Sequence, residues 1–528
     1  MTYSECINQI SKNEIFSGLL GYGLFSERLP PFLTSETYLN FAKNNSFHNK
    51  KYSSQFVFFD NYRNTNVPRT LAIPTPFAYE NLCRCISDNW DNIQKFFNEK
   101  TKNQTYKISR IHIRKLAKSN ALFKMNYDNW KIDGFPEPDL IIDKKFLVKA
   151  DIANCFPSMY THSLCWALVG KNESKANKNN KDKWYNKIDF FSQNLKDRET
   201  HGFLIGPHAS NLLSEIILTD IDEKLSRKWT YIRKIDDYSC YVKSKEEADN
   251  FIIDLVKELK EYDLLLNQKK IEIIELPKTS NDDWTVELHK NLNLLVNSNM
   301  IITYTNIRNY FDSIITLANE VKNSSVLSYA FKTLAELCVP KNKRTKKVAF
   351  SENAIKYLKK ITTHYTIHNP YLIQFFETTI LIPFKFSYDE IISVSNYFFN
   401  EGMQKKNYEM CSYALLFSIK NNSIVNNIHI EDIIESNDCI FMLLSYLYYE
   451  KNNMESEKKQ LIDVAKTLSK NIYDVGRYWL FIYEVLPYND MPNDFKSLKK
   501  KKIMSMISLW IVYQIMMKKD TYVFHLIQ

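Results

Sequence analysis

Glycine is scarce in this chain of 528 residues: there are nine, and beyond Gly206 only Gly402 and Gly476 remain. A C-terminal half so poor in glycine cannot be rich in tight β-turns. The nine cysteines show no C-x-x-C spacing, so neither a zinc site nor a disulfide framework is indicated, and a reducing cytoplasm is expected. The start, Met1-Thr2-Tyr3-Ser4-Glu5-Cys6, has no basic stretch leading into an apolar core, so no secretory signal is expected. Near the C-terminus Ile503–Met517 is mostly apolar and flanked by lysines. It falls short of the roughly 20 residues needed to span a bilayer. A buried terminal helix is expected there, and no membrane partner.

What is present is an ordinary globular composition, 45% hydrophobic and 25% charged. The length suits two or more domains. With 70 basic against 60 acidic residues the formal charge is +10, which fits a polyanionic partner.

The order of signals divides the chain in three. Residues 1–65 show many aromatics without a clear period and read as an N-terminal extension, with Gly18, Gly21 and Gly23 marking a turn region. Residues 66–280 mix strand and helix signals, giving an α/β region; within it the polar, lysine-rich stretch Asn172 to Lys187 reads as an exposed loop. Residues 281–528 read as all-α. Ala354, Tyr357, Leu358 and Ile361 recur at helical spacing, and similar patterns run over 371–381, 389–399, 408–420, 438–449, 458–469 and 473–486. Breaks fall at His368-Asn369-Pro370, Asn421-Asn422-Ser423 and Tyr488 to Pro492. Short helices stacked in sequence suggest a HEAT-like solenoid.

The chemistry lies in the middle region. Asp236 and Asp237 are adjacent within an apolar and aromatic stretch, Tyr231 to Val242. Two like charges side by side are costly to bury unless a cation lies between or beside them. A third carboxylate, Asp151, ends the strand-like run Phe146-Leu147-Val148-Lys149-Ala150. Hard carboxylate oxygens select Mg²⁺ or Mn²⁺, and two such ions support phosphoryl transfer onto a 3′ end. A plain type I′ hairpin turn is the simpler account of the double acid taken alone. Strand, acid, strand, double acid, strand is also the order found in palm-type nucleic acid polymerases.

Further residues fall in order: Pro68-Arg69, Ser109-Arg110 and Ile113-Arg114 on short extended segments, Phe156, Thr200-His201-Gly202 with Gly206, and Asn267-Gln268-Lys269-Lys270. Together they resemble the reverse transcriptase family over about 66–278. Tyr160-Thr161-His162-Ser163, Trp166 and Gly170-Lys171 resemble the Y-T-H-S…W…G-K signature of abortive-infection (AbiK-type) bacterial antiviral reverse transcriptases. Thr200-His201-Gly202 resembles the T-H-G stretch of that group. The resemblance implies a fingers and palm domain followed by a helical-repeat domain. It implies metal ligation by Asp151, Asp236, Asp237 and the Ile152 carbonyl, with two Mg²⁺ or Mn²⁺ ions as cofactor. Phe156 would exclude a ribose 2′-hydroxyl, Arg69, Arg110 and Arg114 would hold triphosphate, His201 and Gly202 would approach the nucleotide, and Lys270 would neutralise the leaving group. The implied partners are dNTPs, a DNA product or a non-coding RNA, and further copies of the chain. Synthesis without a template, or primed on a protein tyrosine, is known in the group. The chain departs from the family at Lys234, where an aromatic usually stands, and at Ile271, where threonine is common.

Two other readings remain open on sequence: a conventional templated reverse transcriptase of a retron or mobile element, and a catalytically weak polymerase fold serving as an RNA-binding scaffold.

Overall fold

The computed structural model describes residues 2–45, 47, 49–63, 67–110, 113, 115, 121–122, 134–278, 283–297, 301–321, 325–338, 348–499 and 506–507. Arg114 and the stretch Ile503–Met517, apart from 506–507, lie outside them. One contiguous apolar core runs from Tyr3 and Leu19 through Phe77 and Val148 to Phe398 and Trp479.

Two strands, β1 (Val57–Tyr62) and β2 (Pro68–Ile73), form an antiparallel hairpin in which Val57 faces Ile73 and Asn61 faces Arg69. The expected boundary at 65/66 therefore cuts through a hairpin. The sequence spacing missed it because β1 alternates buried and exposed residues for only six positions. The turn region expected around Gly18 and Gly21 is instead helix, Lys12–Tyr22, and a Cβ at Gly21 would come within 2.6 Å of Leu39. Gly21 serves close packing rather than chain reversal.

The middle region is built on a four-stranded antiparallel sheet in the order β4-β5-β3-β6. Its strands are β3 (Phe146–Asp151), β4 (Tyr231–Lys234), β5 (Asp237–Val242) and β6 (Glu272–Glu275). Helix Lys245–Lys260 packs on β3 and β5. It is capped by Ser244, which accepts from the Glu247 amide, and buries Ala248, Phe251, Leu255 and Leu259 at helical spacing. Asn172 to Lys187 is not one loop: helices Lys171–Ala176 and Trp184–Asn194 enclose a shorter turn, and they form because Ser174, Tyr185 and Ile188 are buried.

Beyond Glu352 the described chain is helical. Helices Tyr388–Lys405 and Tyr408–Asn421 pack side by side, and the latter packs on Cys439–Lys451. Ser387 with Glu390, Asn407 and Asp438 cap these three. The helix expected over 371–381 is broken into a tight turn at Pro370–Leu372, one helical turn and a wider π-type turn at Glu377–Leu381. That over 473–486 divides at Tyr478, and a short helix, Ile430–Glu435, was not foreseen.

A buried ion cluster joins the sheet to helix His208–Leu225. Arg233 of β4 is fully buried, with Nη2 2.6 Å from Asp222 Oδ2 and Nη1 3.2 Å from Glu215 Oε2; both acids are also buried. Tyr231 Oη donates to Asp222 Oδ1 at 2.8 Å. The guanidinium is held firmly charged, mainly by Asp222 and Glu215 acting against the cost of burial. Removing one member of such a cluster strands the others without solvent. Arg233→Ala is expected to lower stability by about 3–5 kcal/mol in urea unfolding. A loss below about 1 kcal/mol, the range of exposed ion pairs, would mean that water reaches the cluster.

Candidate functional site

Asp236 sits in a two-residue hairpin loop, Ile235-Asp236, and Asp237 opens β5, where it closes the loop by pairing with Lys234. Only Ile235 of the two has a left-handed backbone, φ 59°. That is the pattern of a type II′ turn, not the I′ turn that would explain Asp-Asp as turn residues. A β-branched residue in this conformation is strained. Two bonds hold it: Arg233 Nη1 donates to the Ile235 carbonyl at 2.7 Å, and the Ile152 amide donates to the Asp236 carbonyl at 3.2 Å.

Asp151 ends β3 directly opposite Asp237. The carboxylates of Asp151, Asp236 and Asp237 offer oxygens all within 4.8 Å of one another, among the described residues the one such group that could hold a metal. Asp151 is buried, Asp236 half-buried, and Asp237 opens to solvent. Like charges directly across a strand pair destabilise the sheet unless something neutralises them. Asp237 is pushed up to about 6 by partial desolvation and by Asp236 and Asp151. Burial, reinforced by Asp151, pushes Asp236 up; Arg69 and Lys270 pull it back.

Lys270 closes one side, its ammonium 2.8 Å from Asp151 Oδ2, and that bond raises its own pKa. The short turn Gln268–Lys270 that carries it is tied to the end of β3: the Asn267 amide donates to the Asp151 carbonyl at 2.7 Å, and Ala153 to Leu265 at 2.8 Å. These bonds use the carbonyl of Asp151 and leave that of Ile152 out of the bridge between Ile152 and Leu266.

Phe156 lies half-buried in the turn of helix Cys155–Ser158 that follows Asp151. Its carbonyl accepts from the Phe203 amide at 2.8 Å, and that of Met159 accepts from Gly202 at 2.8 Å. Gly202 is left-handed (φ 83°), and a Cβ there would come within 2.7 Å of the Pro157 carbonyl oxygen, so glycine is required. His201 is exposed and pairs with Tyr160, and the Thr161 amide donates to Thr200 at 2.8 Å. The Tyr160–Ser163 and Thr200–Gly202 segments, distant in sequence, are thus neighbours. Lys196 secures the pair through the His201 and Gly202 carbonyls.

The arginines part company. Arg69 is exposed on β2 and its charge is felt at Asp236. Arg110 is buried, donating to the Gly134 carbonyl at 3.1 Å and lying 3.6 Å from Glu137, while its backbone amide bonds Arg233. It is packed into the frame beside β4. Lys234 is half-buried at the base of the hairpin. The residues that sequence reading missed are Glu215, Asp222 and Arg233. Their signal was there: Glu215 and Asp222 seven apart in a largely apolar run, Leu212 to Leu225, that also holds Asp220 and Glu223, and Arg233 following the apolar Tyr231 and Ile232.

Neither a protein-family model nor a curated protein sequence matches the chain. Among solved structures it is similar to apo telomerase from Candida tropicalis, at 12% identity and a TM-score of 0.31, covering 74% of this chain and 69% of that one. Telomerase from Candida albicans, determined with a fragment of telomeric RNA, matches at 10% identity and a TM-score of 0.28, covering 73% and 67%. Overlaps this loose carry no weight for function.

His162 extends the paired segments into a small polar device. Its Nδ1 meets Asp189 Oδ2, while Gln193 Nε2 donates to Asp189 Oδ1 at 2.8 Å and Tyr160 lies edge-on at 4.8 Å. The hydrogen bond to Asp189 raises the His162 pKa above its ordinary value. Its contribution to stability is therefore full below about pH 6.5 and lost as pH rises through the folded-state value. Histidine-selective NMR should find His162 titrating above the usual imidazole range and Asp189→Asn returning it there; an unchanged titration would show that the pair is not formed.

Proposed function

We propose that this chain is a nucleotidyltransferase of reverse-transcriptase type that adds deoxynucleotides to a 3′ end, acting in bacterial antiviral defence. The convergence of Asp151, Asp236 and Asp237 carries this reading. Three carboxylates, from two adjacent strands and the turn that leads into one of them, mutually repelling and flanked by Lys270 and Arg69, have no structural use that a neutral turn would not serve better.

The donor set fits hard divalent cations. Asp151, Asp236, Asp237 and the Ile152 carbonyl would hold two Mg²⁺ or Mn²⁺ ions, which supply activation of the attacking hydroxyl and charge neutralisation at the triphosphate. The chain's own groups do the rest. Lys270, kept protonated beside Asp151, can give charge or a proton to departing pyrophosphate. Arg69 offers a guanidinium fork to the triphosphate. Phe156, fixed by the Gly202-Phe203 backbone, can close against the sugar and exclude a 2′-hydroxyl.

The defence assignment rests on the resemblance of the Tyr160–Ser163 and Thr200–Gly202 segments to the AbiK-type group, and is supported by their pairing beside Phe156. The same resemblance implies a cytoplasmic homo-oligomer assembled through the helical half. No helix among the described residues is long and apolar enough to cross a membrane.

Purified protein given dNTPs and Mg²⁺ or Mn²⁺ should synthesise DNA, and Asp236→Ala with Asp237→Ala should reduce incorporation by roughly 10³-fold or more. Phage protection should be lost with it. Protection that survives loss of both acids would refute the enzymatic reading in favour of an RNA-binding scaffold, and a product complementary to one bound RNA would favour conventional templated synthesis.

A further inference from the structure

The helical half grips the hairpin that carries Arg69. Glu409, in the first turn of helix Tyr408–Asn421, is buried and accepts three hydrogen bonds: from Asn61 Nδ2 at 2.7 Å, from the Tyr62 amide at 2.7 Å and from Gln374 Nε2 at 3.1 Å. Gln374 in turn accepts from Arg28 Nη1 at 3.3 Å. Asn61 is the direct cross-strand partner of Arg69, and Tyr62 that of Pro68. The side chains of directly opposed residues share one face of a hairpin. Glu409 therefore holds the backbone and side chain against which Arg69 is registered.

The other end of the hairpin is held as well. Trp479 Nε1 donates to the Ile73 carbonyl at 3.1 Å, and a Cβ at Gly476 would come within 2.7 Å of the Gln55 amide nitrogen. On the side of the site, the Ala72 amide donates to the Ile205 carbonyl at 2.8 Å, and Gly206 (φ 128°) lies so close that a Cβ would meet the Ala72 carbonyl oxygen at 3.1 Å. The loop that secures Phe156 is thus in backbone contact with β2. Burial pushes the Glu409 carboxyl up to about 8, and its three donors pull it back only in part; an apolar residue at 409 would pack at lower desolvation cost, whereas an acceptor with three directional donors fixes position.

We propose that Glu409 is a positioning residue for nucleotide binding: by fixing Asn61 and Tyr62 it sets the point from which Arg69 reaches the triphosphate, so that the helical half tunes the affinity of the polymerase site. This rests on the polymerase reading above. Arg69 connects the two by its place on β2, the strand whose Ala72 is bonded to the loop that secures Phe156.

Steady-state incorporation of dATP, with the dATP Kd measured alongside, tests the proposal on the full chain. Assayed above about pH 8, where the Glu409 carboxyl is ionised, Glu409→Gln places an amide among three donors and should raise the dATP KM and Kd by roughly ten-fold, the scale of one displaced charge-assisted contact, with little change in kcat. In an Arg69→Ala background the same substitution should add almost nothing, because the group it positions is gone. Asn61→Ala leaves Glu409 its other two donors, serves where Glu409→Gln fails to fold, and should shift KM in the same direction by less. A lower melting temperature with unchanged KM in both variants, or an equal KM increase with and without Arg69, overturns the positioning role. Wild-type protein that neither binds nor incorporates dATP sinks the polymerase reading and this inference together; active wild type with indifferent variants sinks only the inference.

Discussion

The site depends on one buried guanidinium. Asp236 and Asp237 repel each other and Asp151, and they sit on a turn whose first residue, Ile235, is β-branched and left-handed. Left alone, such a hairpin would relax away from Asp151. Arg233 prevents this by two routes: it bonds the Ile235 carbonyl directly, and it anchors β4 to Glu215 and Asp222 on helix His208–Leu225. One cation against two carboxylates in a dry interior is poor evidence for stability in itself. What it supplies is register. The same helix begins just after the Gly202–Gly206 loop, so one rigid element references both the acids and the backbone that holds Phe156.

Around that centre, each contact to the site is made by backbone as well as side chain. Asn267 and Ala153 lock the Lys270 turn to the end of β3, and Phe203 and Gly202 lock the loop to Phe156 and Met159. Beyond them the helical half backs the β1–β2 hairpin through Glu409 and Trp479. A contiguous path of hydrogen bonds thus joins the C-terminal helices to the strand bearing Arg69, a physical route by which the helices can influence the site.

The sequence made the acids legible because a carboxylate in an apolar strand is conspicuous whatever surrounds it. The helices of the C-terminal half were legible because apolar residues recur at helical spacing: Ala354, Tyr357, Leu358 and Ile361 all fall on helix Glu352–His368. The surroundings of Arg110 were not legible, because an arginine on a short extended segment looks the same whether it is exposed or, as here, buried beside Glu137. The β1–β2 hairpin was cut in two because six alternating residues, Phe58 and Phe59 among them, read as general aromatic packing. Glu409 was invisible: its partner Asn61 lies 348 residues away, and no local pattern encodes that contact. What sequence could not convey was pairing between distant segments.

Anomalous diffraction at the manganese edge, from crystals grown with Mn²⁺ and dATP, addresses the centre itself. The expected map has manganese bounded by the carboxylates of Asp151, Asp236 and Asp237, with the triphosphate reaching toward Arg69. Manganese absent from the three carboxylates at saturating concentration, with Lys270 still seated on Asp151, would contradict metal-dependent nucleotidyl transfer at this site.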